Sequence, residues 1–243
     1  MGQAGMTESG ASGPGTVQTG WRAIAQRAAA AQAEAEARHV WQVQPGEPIP
    51  FNHRWEHVCQ VVGLALWLAE ATGADREIVE AAAWLHDVRK EQPGHGVAGA
   101  RAAQAILAAS DFPQEKLPAV ADAIRKHVGL FRAADAEPLS PLEAAVLWDA
   151  DKLTKLGVQA LMFNLSTTYA AFHTLEERRA DNYEFTHKTL VHTVASMNTA
   201  PAQALAERRY RDMLAVLEMW AQEAHEGEVG VEVSPDHPGL SQE

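Results

Sequence analysis

Cysteine is almost absent from this 243-residue chain: Cys59 stands alone. One thiol cannot close an intramolecular disulfide, so the fold must rest on packing, on bound metal, or on both. Cys59 itself reads as a small buried apolar residue. Long apolar runs are missing too, and no segment approaches the roughly 20 residues that a membrane-spanning helix needs. The N-terminus lacks the basic start and apolar stretch of a secretory signal, which leads to the expectation of a cytoplasmic protein. Met1-Gly2 opens like an acylation signal, but Met6 stands where that motif requires Ser or Thr. Positive charge is in short supply. A formal net charge of -12 excludes a nucleic-acid-coating surface and leaves room only for a local basic pocket. The excess is concentrated at the end, where Glu223, Glu226, Glu228, Glu232, Asp236 and Glu243 meet no Lys or Arg. Strand-like alternation is nearly absent as well.

What is present is helical. With 47% hydrophobic residues the chain can bury a sizeable core. Residues 1–20, rich in Gly, Ser and Thr, read as a disordered leader, and residues 227–243 as a disordered acidic tail. Between them, residues 21–226 read as one all-α domain. An Ala, Gln, Glu and Arg run from Trp21 to about His39 predicts a first helix that stops before the prolines at 45, 48 and 50. Further helices are predicted at about 53–71, 76–87, 96–109, 115–128 and 139–151, with one or two more through Phe172. A last pair at about 183–198 and 201–224 is divided at Thr199-Ala200-Pro201. Thr72-Gly73, Asp75, Gln92-Pro93-Gly94, Pro138 and Pro141 supply the boundaries. The seven Trp, among them Trp55, Trp67, Trp84 and Trp148, read as core. An apolar face left on the first or the last helix could make a homodimer.

Several residues on these helices carry chemistry. Ile78, Val79, Ala82, Ala83 and Leu85 form a buried stripe that delivers His86 and then Asp87 to one inner corner. His57 opens the apolar helix of Val61, Val62, Leu64 and Trp67, and His127 shares a face with Val120 and Ile124. Buried imidazoles and carboxylates require partners. Asp149 and Asp151 lie two apart on one helix and so face different ways; periodicity does not choose between them.

The ordered set His57, His86-Asp87 and Asp151, in the local contexts Trp55-Glu56-His57-Val58, Trp84-Leu85-His86-Asp87-Val88 and Asp149-Ala150-Asp151-Lys152-Leu153, resembles the HD-domain superfamily of metal-dependent phosphohydrolases. The likeness covers about residues 52 to 157 and extends loosely to small stand-alone bacterial HD hydrolases. It implies an HD helical bundle with additional C-terminal helices, and a metal held by His57, His86, Asp87 and Asp151. His95 and His127 fall where dinuclear members place extra histidines. Val128 stands where the HD-GYP pattern has a second His, and no Gly-Tyr-Pro follows, so cyclic-dinucleotide hydrolysis of that type is disfavoured. A mononuclear site, with His95 and His127 as supporting or substrate groups, is the preferred expectation. Imidazole and carboxylate ligands suit Mn, Fe, Co, Ni or Zn better than Mg.

The resemblance implies hydrolysis of a phosphoester or phosphoanhydride, with a nucleotide or deoxynucleotide as substrate. Asp87, Lys90, His127 and Lys152 are the expected catalytic residues. Arg89 and Lys126 are weighed as phosphate contacts against ordinary helix-end charges. Asp149 and Glu56 are candidate bases by nearness in sequence, while His53 reads as a surface residue and His173, His187 and His192 as ordinary surface or core residues. Two other classes remain open: a metal-containing module that binds a nucleotide or partner without turnover, and a di-iron HD oxygenase using His95 and His127.

Overall fold

The computed structural model describes residues 20–133 and 135–226. The predicted leader (through residue 19) and acidic tail lie outside them. Among the described residues there is no strand, and no helix is long and apolar enough to cross a membrane.

Among the described residues ten α-helices follow one another: α1 (Trp21–Trp41), α2 (His53–Thr72), α3 (Arg76–Leu85), α4 (His95–Ala108), α5 (Leu117–Lys126), α6 (Leu142–Leu153), α7 (Val158–Leu165), α8 (Leu175–Phe185), α9 (Val191–Ala195) and α10 (Ala200–Glu226). Local chemistry sets their ends. Asn52 caps α2 by accepting from the Trp55 amide, and Asp75 caps α3 by accepting from the Glu77 and Ile78 amides. Gly73, at φ 78°, closes α2 in the left-handed region that a side chain rarely tolerates. Thr174 and Glu177 form a capping box on α8.

Several predicted boundaries move. The segment read as 115–128 is a 3₁₀ turn at Gln114–Lys116 followed by a shorter α5, because Pro118 fits only a first turn. The helix read as 139–151 starts at Leu142, after Pro141. The stretch read as one helix over 183–198 begins earlier, at Leu175, passes through a π-turn at Thr186–Leu190 and ends at Ala195.

α2, α3, α5 and α6 pack around the core, with α4 against α5 and α1 across α2, α3 and α4. The inner stripe of α1 is Trp21, Ala25, Ala29, Ala33 and Ala37, a four-residue spacing of small side chains that lets the helix lie close. α6 is buried at every position from Ala144 to Leu153, which makes it the central helix. α10 reaches α2, α6, α7, α8 and α9 and buries Ala202, Ala206, Met213 and Leu217. Between α4 and α5 the approach is set by glycine: a Cβ on Gly96 would stand 2.5 Å from Val128 Cγ2, and one on Gly99 3.1 Å from the His86 carbonyl.

Two readings of burial are corrected. Cys59 is exposed, because α2 turns it away from the stripe of Val58, Val61 and Val62. Trp67 is 44% exposed, on the outer side of a helix whose apolar run is longer than its buried face.

Candidate metal centre

Three helix ends and one central helix meet at a single corner. His57 comes from the second turn of α2, His86 and Asp87 from the turn that ends α3, His127 from the residue after α5, and Asp151 from α6. All five are buried.

The protonation pattern of the imidazoles follows from their outer nitrogens. His86 Nδ1 donates to the Ala83 carbonyl (2.7 Å) and His127 Nδ1 to the Ile124 carbonyl (2.6 Å). Thr154 Oγ1 donates to the Asp151 carbonyl (2.6 Å) and lies 3.2 Å from His57 Nδ1, so that nitrogen is the donor to the hydroxyl. In that tautomer each ring presents Nε2 to the interior as an acceptor. Burial lowers the pKa of His57, and it lowers that of His86 to about 3, so both stay neutral at ordinary pH.

These lone pairs face one another and the carboxylates. His57 Nε2 is 3.3 Å from His86 Nε2 and 3.3 Å from Asp151 Oδ1. Asp87 Oδ2 is 3.6 Å from His57 Nε2 and 3.5 Å from His86 Nε2. In these tautomers the facing atoms are all acceptors, an arrangement that a bound cation would satisfy. A second group adjoins it: one ligand atom each from Asp87, His95 and His127 lie within 4.8 Å of one another. There Asp87 Oδ1 and His127 Nε2, 3.4 Å apart, are buried without a hydrogen-bond partner. Lys90 Nζ lies 3.3 Å from that oxygen but out of hydrogen-bonding geometry. Orphaned donor atoms of this kind fit a divalent ion, and Asp87 belongs to both groups.

The model described as HD domain matches residues 54–156. The YpgQ protein of Bacillus subtilis is 32% identical over 166 residues, covering 67% of this chain and 80% of that protein. The chain belongs to the HD-domain superfamily. A crystal structure of YpgQ covers 80% of this chain and 96% of its own, at 26% identity and a TM-score of 0.53. Another, of YpgQ in complex with ADP, covers 79% of this chain and 97% of its own, at 25% identity and the same TM-score of 0.53. An HD-superfamily hydrolase from Bacillus thuringiensis shares the fold, at 23% identity and a TM-score of 0.56, over 83% of this chain and 98% of that one.

The HD doublet is embedded in charges of both signs. Burial opposes ionisation of Asp87, but the groups around it, the Arg54 guanidinium bonded to Oδ2 among them, hold the carboxyl well below its usual range. Burial likewise works against the Asp151 carboxylate, and the Lys152 ammonium holds its pKa low. Lys152 is itself buried, bonded to Asp151 Oδ2 and, at 2.9 Å, to the His127 carbonyl. It thus braces two ligand segments.

Arg54 escapes a reading of the sequence alone. Its Nη1 donates to Asp87 Oδ2 at 2.5 Å, while Nε and Nη2 grip both oxygens of Glu36 on α1 at 2.9 Å each. Lys155 escapes it too. It lines the site cavity with His57, Lys90, His95 and His127, and no carboxylate among the described residues pairs with it. Burial lowers its pKa.

Other candidates fall elsewhere. Asp149 accepts from the Asn198 amide and side chain and from the Thr199 amide and hydroxyl, at 2.8–2.9 Å, so it anchors the start of α10. Burial raises its pKa in spite of those bonds. Glu56 is exposed on α2. Lys126 bonds Asp122 and the Ser140 carbonyl, and Arg89 bonds the Val88 carbonyl. His53 is half-buried, bonded to Ser166 and edge-on to Phe163, so the surface reading of that residue is corrected.

Proposed function

We propose that the chain is a metal-dependent phosphohydrolase that cleaves a phosphoester or phosphoanhydride bond of a nucleotide or deoxynucleotide. The observation that carries this reading is the set of facing acceptors on His57, His86, Asp87 and Asp151, beside a cavity of about 240 Å³ lined by His57 and Asp151 together with Lys90, Lys152 and Lys155. Acceptors gather a cation; ammonium groups beside them gather an anion. The ADP complex of YpgQ supports a nucleotide as that anion.

His57, His86, Asp87 and Asp151 would hold the metal, and Asp87 with His95 and His127 has the donors for a second ion. When bound, a divalent ion supplies Lewis-acid activation of water and of phosphoryl oxygen. The protein's own groups do the rest. Lys155 and Lys90 neutralise negative charge on the phosphoryl oxygens. Lys152 fixes Asp151 and the His127 backbone, and the Nδ1 bonds of His57, His86 and His127 lock the rings in the ligating tautomer. Mn, Fe, Co, Ni and Zn suit this donor set.

The test is release of phosphate and pyrophosphate from nucleoside mono-, di- and triphosphates by metal-stripped protein with Mn added back. Release that needs metal and vanishes in Asp87→Ala is the expected result. Metal binding without release from any nucleotide refutes hydrolysis and favours the binding module; oxygen consumption by the iron-loaded protein would favour the oxygenase.

A further inference from the structure

Beside the metal centre, and sharing His57 and Lys155 with its cavity, a second and smaller cavity opens between α2, α6, α7 and α8. Its walls are chemically divided. Phe163 and Phe185 supply aromatic faces, and Gln60 and Asn164 supply amides. Asn164 Nδ2 donates to Asn182 Oδ1 (3.1 Å), which leaves its own carbonyl oxygen open. The Gln60 amide makes no hydrogen bond among the described residues.

This division selects a ligand class. A hydrocarbon would leave two amides without partners, and a purely polar ligand would leave two aromatic faces without apolar contact. A flat heterocycle with donors and acceptors on its edge satisfies both. Lys155, unpaired and standing between the two cavities with its Nζ 6.0 Å from the Phe163 ring centre, adds an anionic group at the seam. The local fold agrees. α8 widens into a π-turn immediately after Phe185, and the buried Thr186 hydroxyl there has no partner; turns of this kind recur where a helix is distorted for a functional site.

We infer that this cavity is a nucleobase subsite: Phe163 and Phe185 flank the base, Gln60 and Asn164 read its edge, and Lys155 holds the phosphate nearest the nucleoside. The inference rests on the nucleotide phosphohydrolase reading and assigns the residues that set its substrate choice.

The test is calorimetric titration of the full, manganese-loaded chain with α,β-methylene diphosphates of the four common nucleosides, using methylenebisphosphonate as the base-free control. Loss of one base–aromatic contact corresponds to about 5- to 150-fold in affinity. Phe163→Ala is expected to weaken nucleotide binding within that range and to leave the bisphosphonate within about twofold, and Gln60→Ala to change the ranking of the bases. Phe163→Leu serves if the alanine variant does not fold. Equal losses for nucleotide and bisphosphonate, no loss in either variant, or wild-type protein that binds the bisphosphonate as tightly as every nucleotide overturns the subsite. Hydrolysis fails separately: if no substrate releases phosphate while the variants still show the expected pattern, the subsite stands and the catalytic reading falls.

Discussion

Replacing Arg54 with Met deletes the one cation that stands between Glu36 and Asp87 while keeping a side chain of similar length. The three side chains are 17%, 15% and 1% exposed, so the acids left behind are poorly hydrated. Removing one partner of a buried pair costs about 3–5 kcal/mol, and the low end applies because Glu36 retains some contact with water and Lys90 still faces Asp87. For a chain of this size a loss of about 3 kcal/mol lowers the melting temperature by about 6–12 °C. The metal response moves the other way. Arg54 holds Asp87 Oδ2 at 2.5 Å, the oxygen that also faces His57 and His86, so its removal frees a ligand and takes away a repelling charge. Manganese is therefore expected to raise the melting temperature of the variant more than that of the wild type. Differential scanning fluorimetry in EDTA and in a manganese series measures both effects. A drop under about 2 °C without metal, or a smaller manganese response than wild type, would show that the guanidinium neither relieves nor competes for Asp87.

Asp149→Ala strips four hydrogen bonds from the start of α10 and is expected to cost about 2–4 kcal/mol in chemical denaturation while metal stoichiometry stays unchanged; Asp151→Ala should abolish that stoichiometry, and the reverse pattern would exchange their roles. Asp75 experiences opposed effects, burial raising its pKa and Lys116 with the Ile78 and Glu77 amides lowering it further, so the net shift is downward. A carboxyl whose folded pKa is depressed contributes stability that is present above its unfolded pKa and is lost as pH falls through the folded one. Asp75→Ala should thus cost about 1 kcal/mol at pH 7, with the gap in urea midpoints closing as pH falls through the carboxylate range; a gap constant down to pH 3 would contradict the linkage. Gly96→Ala should force α4 off Val128 and cost about 1–3 kcal/mol, which thermal melts will register; a neutral result would mean that α4 shifts freely.

Part of the buried corner was legible from the residues alone, since a His-Asp pair at the end of an apolar stripe has nowhere to go but inward; the four-residue ligand set was named only by resemblance to the HD superfamily. Asp149 against Asp151 was not legible from periodicity, since α6 is buried all round and offers no polar face for reference. The choice depends on what each meets, Asn198 and Thr199 in one case and His57 in the other, and those contacts span 49 to 94 residues of chain. Arg54 was missed for the same reason, because its partners lie on α1 and at the end of α3. Cys59 and Trp67 show the opposite error: α2 is apolar over a wider arc than it buries, and composition alone cannot say which edge of the arc meets water.

The bond from Glu36 to Arg54 bears on how this molecule can be cut. The segment by which the superfamily is recognised, residues 54–156, begins at the arginine and ends before Asn198. A recombinant fragment trimmed to that segment would keep every ligand and lose both outside clamps, the acid that aims Arg54 and the loop that satisfies Asp149. Its ligand set would be complete and its frame would not. The segment that carries the family match is thus shorter than the packed unit that braces it, and any attempt to transplant the centre onto another helical scaffold has to carry α1 and the head of α10 along with it.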